Sequence, residues 1–572
     1  MGYMAMVVLM ALPVGCANRG VGPQGGPLDS IPPVPLKAEP ANGSVNFTGD
    51  RIEVTFNEYI QLDNLAQNML MSPPQQTPPE VKARGKRLLI HFVDSLRDST
   101  TYTIDFGSAV CDYNEKIPLP GYSFSFATGP TIDTLETFGL VVDAENLNPC
   151  AGLSAGIHSD LSDTAFVSGP FLRVARTDAA GRFRIGNMRA GTYRLYALDD
   201  VSRDYRLTAG EALAFGEEPI RVGAEQANDS TDSVTLSVLF LFREKQQRLY
   251  LQRTLREQRH CVKVYFSSSP DSLPQVRPLH DSLSYTTCYS EHADTMTIWL
   301  TDSDAIARDS LFFELRYRRT DSLFRPEWTV DTLRAVWRAP RQKSAAAPKQ
   351  RVLELGCNAR QNFELNDTLL VVCATPLALI QADSIHLLHA VDSTRQPVDF
   401  RILTADSLPM RFQLVASMKP GERYELRIDS GALADIYGVA NGYSSYQLQL
   451  RTPEDYSTLR VRLNPQVPDA RIQLLNDKDQ VLRELPATPE GAFFEYLKPD
   501  GYYLRLYIDA NGDGEWTTGS WKEQRQPEQV YYFPEKIQTK SNWDFEEEWN
   551  YLAVPQLEAK PKELINAAPK KK

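Results

Sequence analysis

Ile52, Val54 and Phe56 alternate with Glu53 and Thr55, so that every second side chain is apolar. A strand turns successive side chains to opposite faces, and this spacing therefore gives one buried face and one wet face. The habit recurs at Leu88 to Phe92, Tyr102 to Phe106 and Tyr122 to Ala127, with turn residues between. Short alternating strands at this interval predict β-sandwiches. A chain of 572 residues is too long for one core, and about 100 to 150 residues per domain suggests four or five. The expected fold class is all-β, as sandwiches in tandem.

Four stretches in the first of these units carry a resemblance. They are Pro40-Ala41-Asn42-Gly43, IEVTFNEYI from Ile52, TTYTIDFGSAVCDYNE from Thr100 and YSFSFATG from Tyr122. Together they resemble the bacterial Ig-like domains first known from S-layer proteins. The closing stretch recurs in outline as YELRIDSGALADIYGVANGYSSYQLQLRT from Tyr424 to Thr452. The opening strand recurs as VKVYFSSSP from Val262 and LLVVCATPL from Leu369, with Phe266 and Cys373 where Phe56 stands. Ig-like units are expected at 36–130, 226–345 and 346–455. Within the middle one, Arg243 to Arg259 is rich in Gln, Arg and Leu and reads as either a short helix or a twisted hairpin.

A second repeat falls between these units. TDAAGRFRIGNMRAGTYRLYALDD, from Thr177 to Asp200, is matched by EGAFFEYLKPDGYYLRLYIDANGDGEW, from Glu490 to Trp516. In each, Gly191-Thr192-Tyr193 or Gly501-Tyr502-Tyr503 begins a strand that runs into an acidic loop. The pair resembles the transthyretin-like, or carboxypeptidase-regulatory-like, β-sandwich, expected at 131–225 and 456–550. Arg338 to Gln350 reads as a basic linker, and 551–572 as a loose tail ending in three lysines.

At the N-terminus, MAMVVLMALPVGC from Met4 to Cys16 is apolar, with no charged residue before Arg19. A spanning helix needs about 20 apolar residues, so this run suits the h-region of a secretory signal over 1–15. Small Gly15 before Cys16 fits a lipoprotein signal whose cysteine thiol accepts a diacylglycerol. Pro13 holds the place where leucine is usual, with Leu12 one further back, and no Lys or Arg precedes the run. An ordinary cleaved signal or an uncleaved anchor are the alternatives. Residues 16–35, rich in Gly and Pro, read as a tether. Behind this lipobox and GPQGGPLDSIPP, the order of units looks like the Ig-like-domain lipoproteins of the phylum Bacteroidota. That resemblance implies an outer-membrane lipid anchor. Ala17-Asn18-Arg19-Gly20 lacks acidic residues after the cysteine and favours the periplasmic face.

Candidate chemistry is sparse. Asp509-Ala510-Asn511-Gly512-Asp513-Gly514 places alternating oxygens as at the start of a calcium loop, with Asp509, Asn511 and Asp513 as ligands and Glu515 as a fourth. Ser520 stands at the twelfth place, where an EF-hand needs a bidentate Glu. The alternative is a tight turn, because Asn-Gly and Asp-Gly supply positive φ. No other cofactor is expected. Gly152-Leu153-Ser154-Ala155-Gly156 spells a hydrolase motif, yet a nucleophile elbow requires a strand, a sharp turn and a helix, and here it falls near an early strand. His386 and His389, three apart on a strand, point to opposite faces.

Six cysteines remain after Cys16. Cys261 with Cys288, and Cys357 with Cys373, are candidate disulfides in an exported chain; the alternative is that they are small buried apolar side chains. Asp followed by Ser or Thr and then a small or aliphatic residue recurs, as at Asp94-Ser95-Leu96 and Asp133-Thr134-Leu135. It is similar to the O-glycosylation acceptor motif of the same phylum, and it also suits turns. A net charge of −12 with dispersed Lys and Arg gives no nucleic-acid footprint. The expected role is therefore non-catalytic: a lipid-anchored structural or interaction protein with a protein or glycan partner in the envelope. The alternative is a glycan- or peptide-binding accessory lipoprotein, suggested by 25 Tyr and 7 Trp.

Overall fold

The computed structural model describes residues 30–223, 236–244, 248–279, 283–290, 292–321, 325–338, 352–391, 394–404 and 409–565. The expected signal, Cys16 and nearly all of the basic linker lie outside them. The protein is all-β: among the described residues the longest helix is Ser303–Ala307, of five residues, and no helix is long and apolar enough to cross a membrane. Contacts divide the chain into two compact units, Met1–Val142 with Pro149–Leu241, and Asp143–Asn148 with Phe242–Lys572.

The first unit holds two apolar cores. In its first sandwich the strands Pro35–Glu39, Arg51–Phe56, Arg87–His91 and Glu80–Arg84 form one sheet, in that spatial order. Leu70–Ser72, Thr101–Asp105 and Ser123–Ala127 form the other. Ile52, Val54 and Phe56 are buried, as their alternation predicts, and meet Leu88, Ile90, Ile104 and Phe124. Phe126 gathers the aromatic centre, 5.4 Å from the Tyr102 ring and 4.8 Å from Phe47. Each such side chain contributes about 1.5–3 kcal/mol by leaving water.

The second sandwich packs Arg182–Met188, Leu135–Asp143 and Ser237–Leu241 on a sheet of Arg173–Arg176, Ser154–His158, Gly191–Leu198 and Leu213–Phe215. Phe183 pairs with Gly139, and a Cβ there would lie 2.1 Å from the Phe183 ring. Only glycine lets the two strands and that ring share the space.

The second unit holds three cores. Its first opens with the hairpin Leu251–Gln258 and Cys261–Phe266, so of the two readings of Arg243 to Arg259 the hairpin holds over Leu251–Gln258, while 245–247 lie outside the described residues. In the next sandwich, Glu425 lies on the strand Arg423–Ile428 with its side chain only 8% exposed. Arg427 donates to it through Nε (2.8 Å) and Nη2 (3.0 Å). Arg395 Nε (3.0 Å) and Ser445 Oγ (2.8 Å) donate as well. Arg427 foremost, with Arg395 and Ser445, holds the Glu425 carboxyl down at about 2, against the desolvation that would raise it from its ordinary 4.5.

A carboxyl whose folded-state value is depressed stabilises the fold above its unfolded value, and that contribution fades as pH falls toward the folded one. Acid titration from pH 5 to pH 2 should therefore remove about 2 kcal/mol through this residue, allowing for the half-exposed arginines. Denaturant unfolding of Glu425→Gln across that window should show a flatter acid limb, and a limb as steep as that of the parent protein would refute the assignment.

Neither candidate disulfide is present, and register is the reason. Cys261 pairs with Trp299 and Cys288 with Thr297, on opposite sides of the strand Thr295–Leu300. Strands two apart lie about 9.5 Å from one another, beyond the roughly 7 Å that a disulfide spans between Cα atoms. Cys357 faces Val371 and Cys373 faces Leu355, a diagonal of roughly 7 Å where bridged Cβ atoms need about 4 Å. Burial pushes the Cys261 and Cys373 thiols up to about 11, which fits the reading as small buried side chains.

The expected loose tail also differs over residues 551–565, the remainder lying outside the described residues. Ala559, Lys560 and Leu564 are buried, and Tyr551 packs edge-on against Tyr531 at 5.0 Å. A single buried lysine anchors a segment whose polar composition looks unable to order itself.

Candidate functional site

Strand alternation sends Met71, Tyr102, Ile104, Phe124 and Phe126 into the first core. It leaves Ser72, Thr103, Asp105, Ser123 and Ser125 on the outer face of the same sheet. In the second sandwich Glu136 and Phe138, then Arg182 and Arg184, alternate outward in the same way. These outer faces border one cleft of about 730 Å³ within the first unit.

Beside the cleft, Arg173 of the second sandwich is bonded to the first. It is 5% exposed, and its Nη1 donates to the carbonyls of Ser72 and Thr101. Its Nη2 lies 3.7 Å from Asp133. Burial pushes the Arg173 guanidinium down to about 10, while Asp133 pulls the other way; it remains charged at neutral pH. The Val174 amide donates to Ser72 Oγ at 3.1 Å, and Arg189 Nε donates to Asp133 at 3.1 Å. Asn187, at φ 56°, turns its Nδ2 to Thr103 Oγ1 (2.5 Å) and Ser125 Oγ (3.3 Å).

Charged side chains in the cleft take local partners, apart from the exposed Arg182. Arg184 Nε donates to Glu136 at 2.6 Å, and Arg176 donates to the Gln67 carbonyl. Asp178 accepts the amides of Ala180 and Arg182, each at 2.8 Å. Asp105 accepts the Gly107 amide at 2.8 Å. Phe138 is half-buried, with the Arg184 guanidinium 5.9 Å from its ring centre. Hydroxyls, one amide, paired charges and an accessible ring are groups that hold a polar ligand.

Residues 29–128 match the family model described as a bacterial Ig-like domain. The chain carries a bacterial Ig-like domain. No curated protein matches the chain. Among solved structures, the N-terminal part of the S-layer protein SbsC shares 14% identity at a TM-score of 0.13, over 36% of this chain and 44% of that one. Domains 1–6 of SbsC share 10% at 0.13, over 85% of this chain and 62% of that one. The Bacteroides ovatus protein SGBP-B, solved with a mixed-linkage heptasaccharide, shares 12% at 0.17, over 63% and 86%. This chain thus spans less than two thirds of either SbsC chain, and superpositions this loose carry no information on arrangement or role.

The Ig-like domain supplies Ser72, Thr103, Asp105, Ser123 and Ser125 to the cleft, none of which the sequence marks as a candidate for chemistry. The residues that it does mark as metal ligands or as a nucleophile lie elsewhere. Asp509 is 5% exposed and accepts the amides of Asp513 (3.1 Å) and Gly514 (2.9 Å). Asn511 Oδ1 accepts the Asp513 amide at 3.0 Å, and Asp513 accepts that of Glu515 at 2.8 Å. The three expected calcium ligands are brought together. Each of them, however, accepts a backbone amide, and Asn511 turns its Nδ2 toward Asp513 at 2.9 Å. Among the described residues no three His, Cys, Asp or Glu side chains are grouped to hold a metal.

The turn alternative accounts for these bonds, with Gly512 and Gly514 at φ 72° and 80°. Glu528, which no spacing announced, closes the loop by accepting the amides of Ala510 and Thr517, each at 2.8 Å; burial raises its carboxyl above the ordinary range. Ser154 pairs with Arg176 and Leu198 inside the strand Ser154–His158, which continues straight where an elbow would turn. His386 and His389 contact different carboxylates, Asp429 at 3.1 Å and Glu422 at 3.3 Å.

Proposed function

We propose that this chain is a lipid-anchored protein of the bacterial cell envelope that acts by binding rather than by catalysis, with the cleft of the first unit as its binding site. The observation that carries this reading is the cleft itself. Two sandwiches turn complementary polar faces toward one another across about 730 Å³, a volume in the usual range of ligand sites. Buried Arg173 bonds one of these sandwiches to the other beside it. The bacterial Ig-like domain at 29–128 supports an envelope setting. The apolar run ending at Cys16 and the Gly/Pro tether after it support anchoring, since two or three acyl chains give a lasting hold where one is marginal. On this reading the anchor sits in the outer membrane and the sandwiches extend on its periplasmic side.

Growth with a labelled fatty-acid analogue should mark the protein, and Cys16→Ala should abolish the label; undiminished incorporation would sink the anchor. Crosslinking in native membranes tests the cleft. Thr134→Trp, which fills it from an exposed position, should remove crosslinked material that the parent protein captures, and an unaltered pattern would refute the cleft as the binding site.

A further inference from the structure

We infer that the outer edge of the strand Pro326–Val336, in the second unit, is a docking site for an acidic, extended segment of another protein, which joins the sheet as its next strand. This does not depend on the cleft. Pro326–Val336 pairs with Ser310–Thr320 in an unbroken antiparallel register, Val336 facing Ser310 and Pro326 facing Thr320. At one end the Trp337 amide donates to the Asp309 carbonyl, and at the other the Asp321 amide donates to that of Arg325. Antiparallel pairs alternate between those that exchange both bonds and those that exchange none. Thr329, Asp331, Leu333 and Ala335 therefore direct their N–H and C=O groups to Ser310–Thr320, and Trp328, Val330, Thr332 and Arg334 turn theirs the other way. Among the described residues no strand takes these up. Pro326–Val336 is the last strand of its sheet, and the edge closes only at Trp337, which bridges Arg256.

Open edges are normally blunted by short length, lysine, proline or a bulge. This strand has 11 residues, its proline stands at the first of them, and its register carries no bulge. Trp328 is 52% exposed and Val330 55% exposed, so apolar side chains flank the open backbone. An added strand uses both, main-chain bonds for affinity and alternate side chains for specificity.

Charge decides which strand fits. The face that bears Trp328 and Val330 also carries Arg277, Arg316, Arg318 and Arg334 against Glu314. Arg277 engages Glu314 at 2.6 Å, and Arg318 lies 3.7 Å from Asp271. Arg316 reaches toward the edge, its Cζ 4.7 Å from the centre of the Trp328 ring. Neither Arg316 nor Arg334 meets a carboxylate among the described residues. On the opposite face Asp331 accepts the Tyr317 hydroxyl at 2.9 Å. Carboxylates on an incoming strand would compensate the two arginines. A second copy would not: the antiparallel self-pairing that engages all four open residues sets Asp331 against Asp331 and doubles the arginines on the face, and like charges across strands destabilise.

Anisotropy titration of the full-length protein with the fluorescent heptapeptide Glu-Thr-Glu-Thr-Val-Thr-Val tests this against the same peptide with Lys for each Glu. Laid antiparallel, its acidic residues face Arg334 and Thr332, and its valines face Val330 and Trp328. The acidic peptide should bind saturably, about tenfold or more tighter than the basic one, and should slow hydrogen exchange at the Val330 and Thr332 amides. Thr332→Pro removes an N–H that the sheet's own ladder does not use, a change that edge strands tolerate; it should abolish binding while the melting temperature holds. Arg334→Glu should reverse the preference between the two peptides. The inference is overturned if the acidic peptide does not bind, if the basic one binds as tightly, or if Thr332→Pro keeps full affinity. Should sedimentation instead show a dimer that Thr332→Pro dissociates, the occupant is a second copy and the acidic strand falls.

Discussion

Arg173→Ala should destabilise the first unit by about 3–5 kcal/mol, the cost of removing one member of a buried charge pair. The guanidinium it deletes is 5% exposed and donates to the carbonyls of Ser72 and Thr101. Both carbonyls would lose their donor in a site too closed for water to replace it freely, and each orphaned group costs about 1–3 kcal/mol. Asp133, whose side chain is 13% exposed, would keep Arg189 and the Thr101 hydroxyl but lose its buried cation. Arg173→Lys should recover only part, because one ammonium cannot reproduce a planar fork aimed at two carbonyls and a carboxylate. Calorimetry of the full chain should record the first unit melting about 10 °C lower in the alanine variant, at ~2–4 °C per kcal/mol for a unit of this size. A change under about 2 °C would mean that Arg173 does not tie the two sandwiches together.

Lys560→Ala should be as costly in the second unit, again about 3–5 kcal/mol. The Lys560 side chain is 1% exposed and that of Asp479 is 7% exposed. Its Nζ donates to the Asn146 carbonyl (2.6 Å), Asn148 Oδ1 (2.8 Å) and Asp479 Oδ2 (2.8 Å), and it lies 4.8 Å from the centre of the Tyr532 ring. Desolvation pulls the ammonium below its ordinary value, and Asp479 opposes this. Truncation would strand the Asp479 carboxylate with the Tyr532 hydroxyl, which donates to it at 2.9 Å.

The cost should come mainly from that stranded charge. Lys560→Met, which keeps the stem, should then remain strongly destabilised, whereas pairing it with Asp479→Asn should restore most of the loss. Denaturant titrations of the four proteins give the coupling directly. Additive losses, or a single-variant loss below about 1 kcal/mol, would show that the lysine is not the clasp of the C-terminal segment.

Much of the fold was legible because its signal is local. Ile52, Val54 and Phe56 announce their buried face within five residues, and the same holds for Tyr102, Ile104 and Phe106. Asn-Gly and Asp-Gly at 511–514 announce a turn for an equally local reason, the positive φ that those residues tolerate. The calcium reading drew on the same oxygens, which the fold brings together while each residue accepts a backbone amide. Disulfide reasoning failed on register: Cys357 and Cys373 fall within one expected unit of a chain read as exported, but a two-residue offset across a strand pair separates them.

What the sequence determined by itself is thus the alternation: which side chains of each strand face a core and which face away. It placed Thr103 and Ser125 on alternating strands, facing away from the core, and said nothing of Glu136 and Phe138. That these residues border a common cleft was decided by how the second sandwich packs on the Ig-like domain. That packing rests on Arg173 reaching carbonyls 72 and 101 residues away in the chain, as the C-terminal clasp rests on Lys560 reaching Asn146 and Asp479. Period two is written in neighbouring residues; a long side chain finding its acceptors in another sandwich is written nowhere along the chain, because it depends on distances that exist only after both cores have formed.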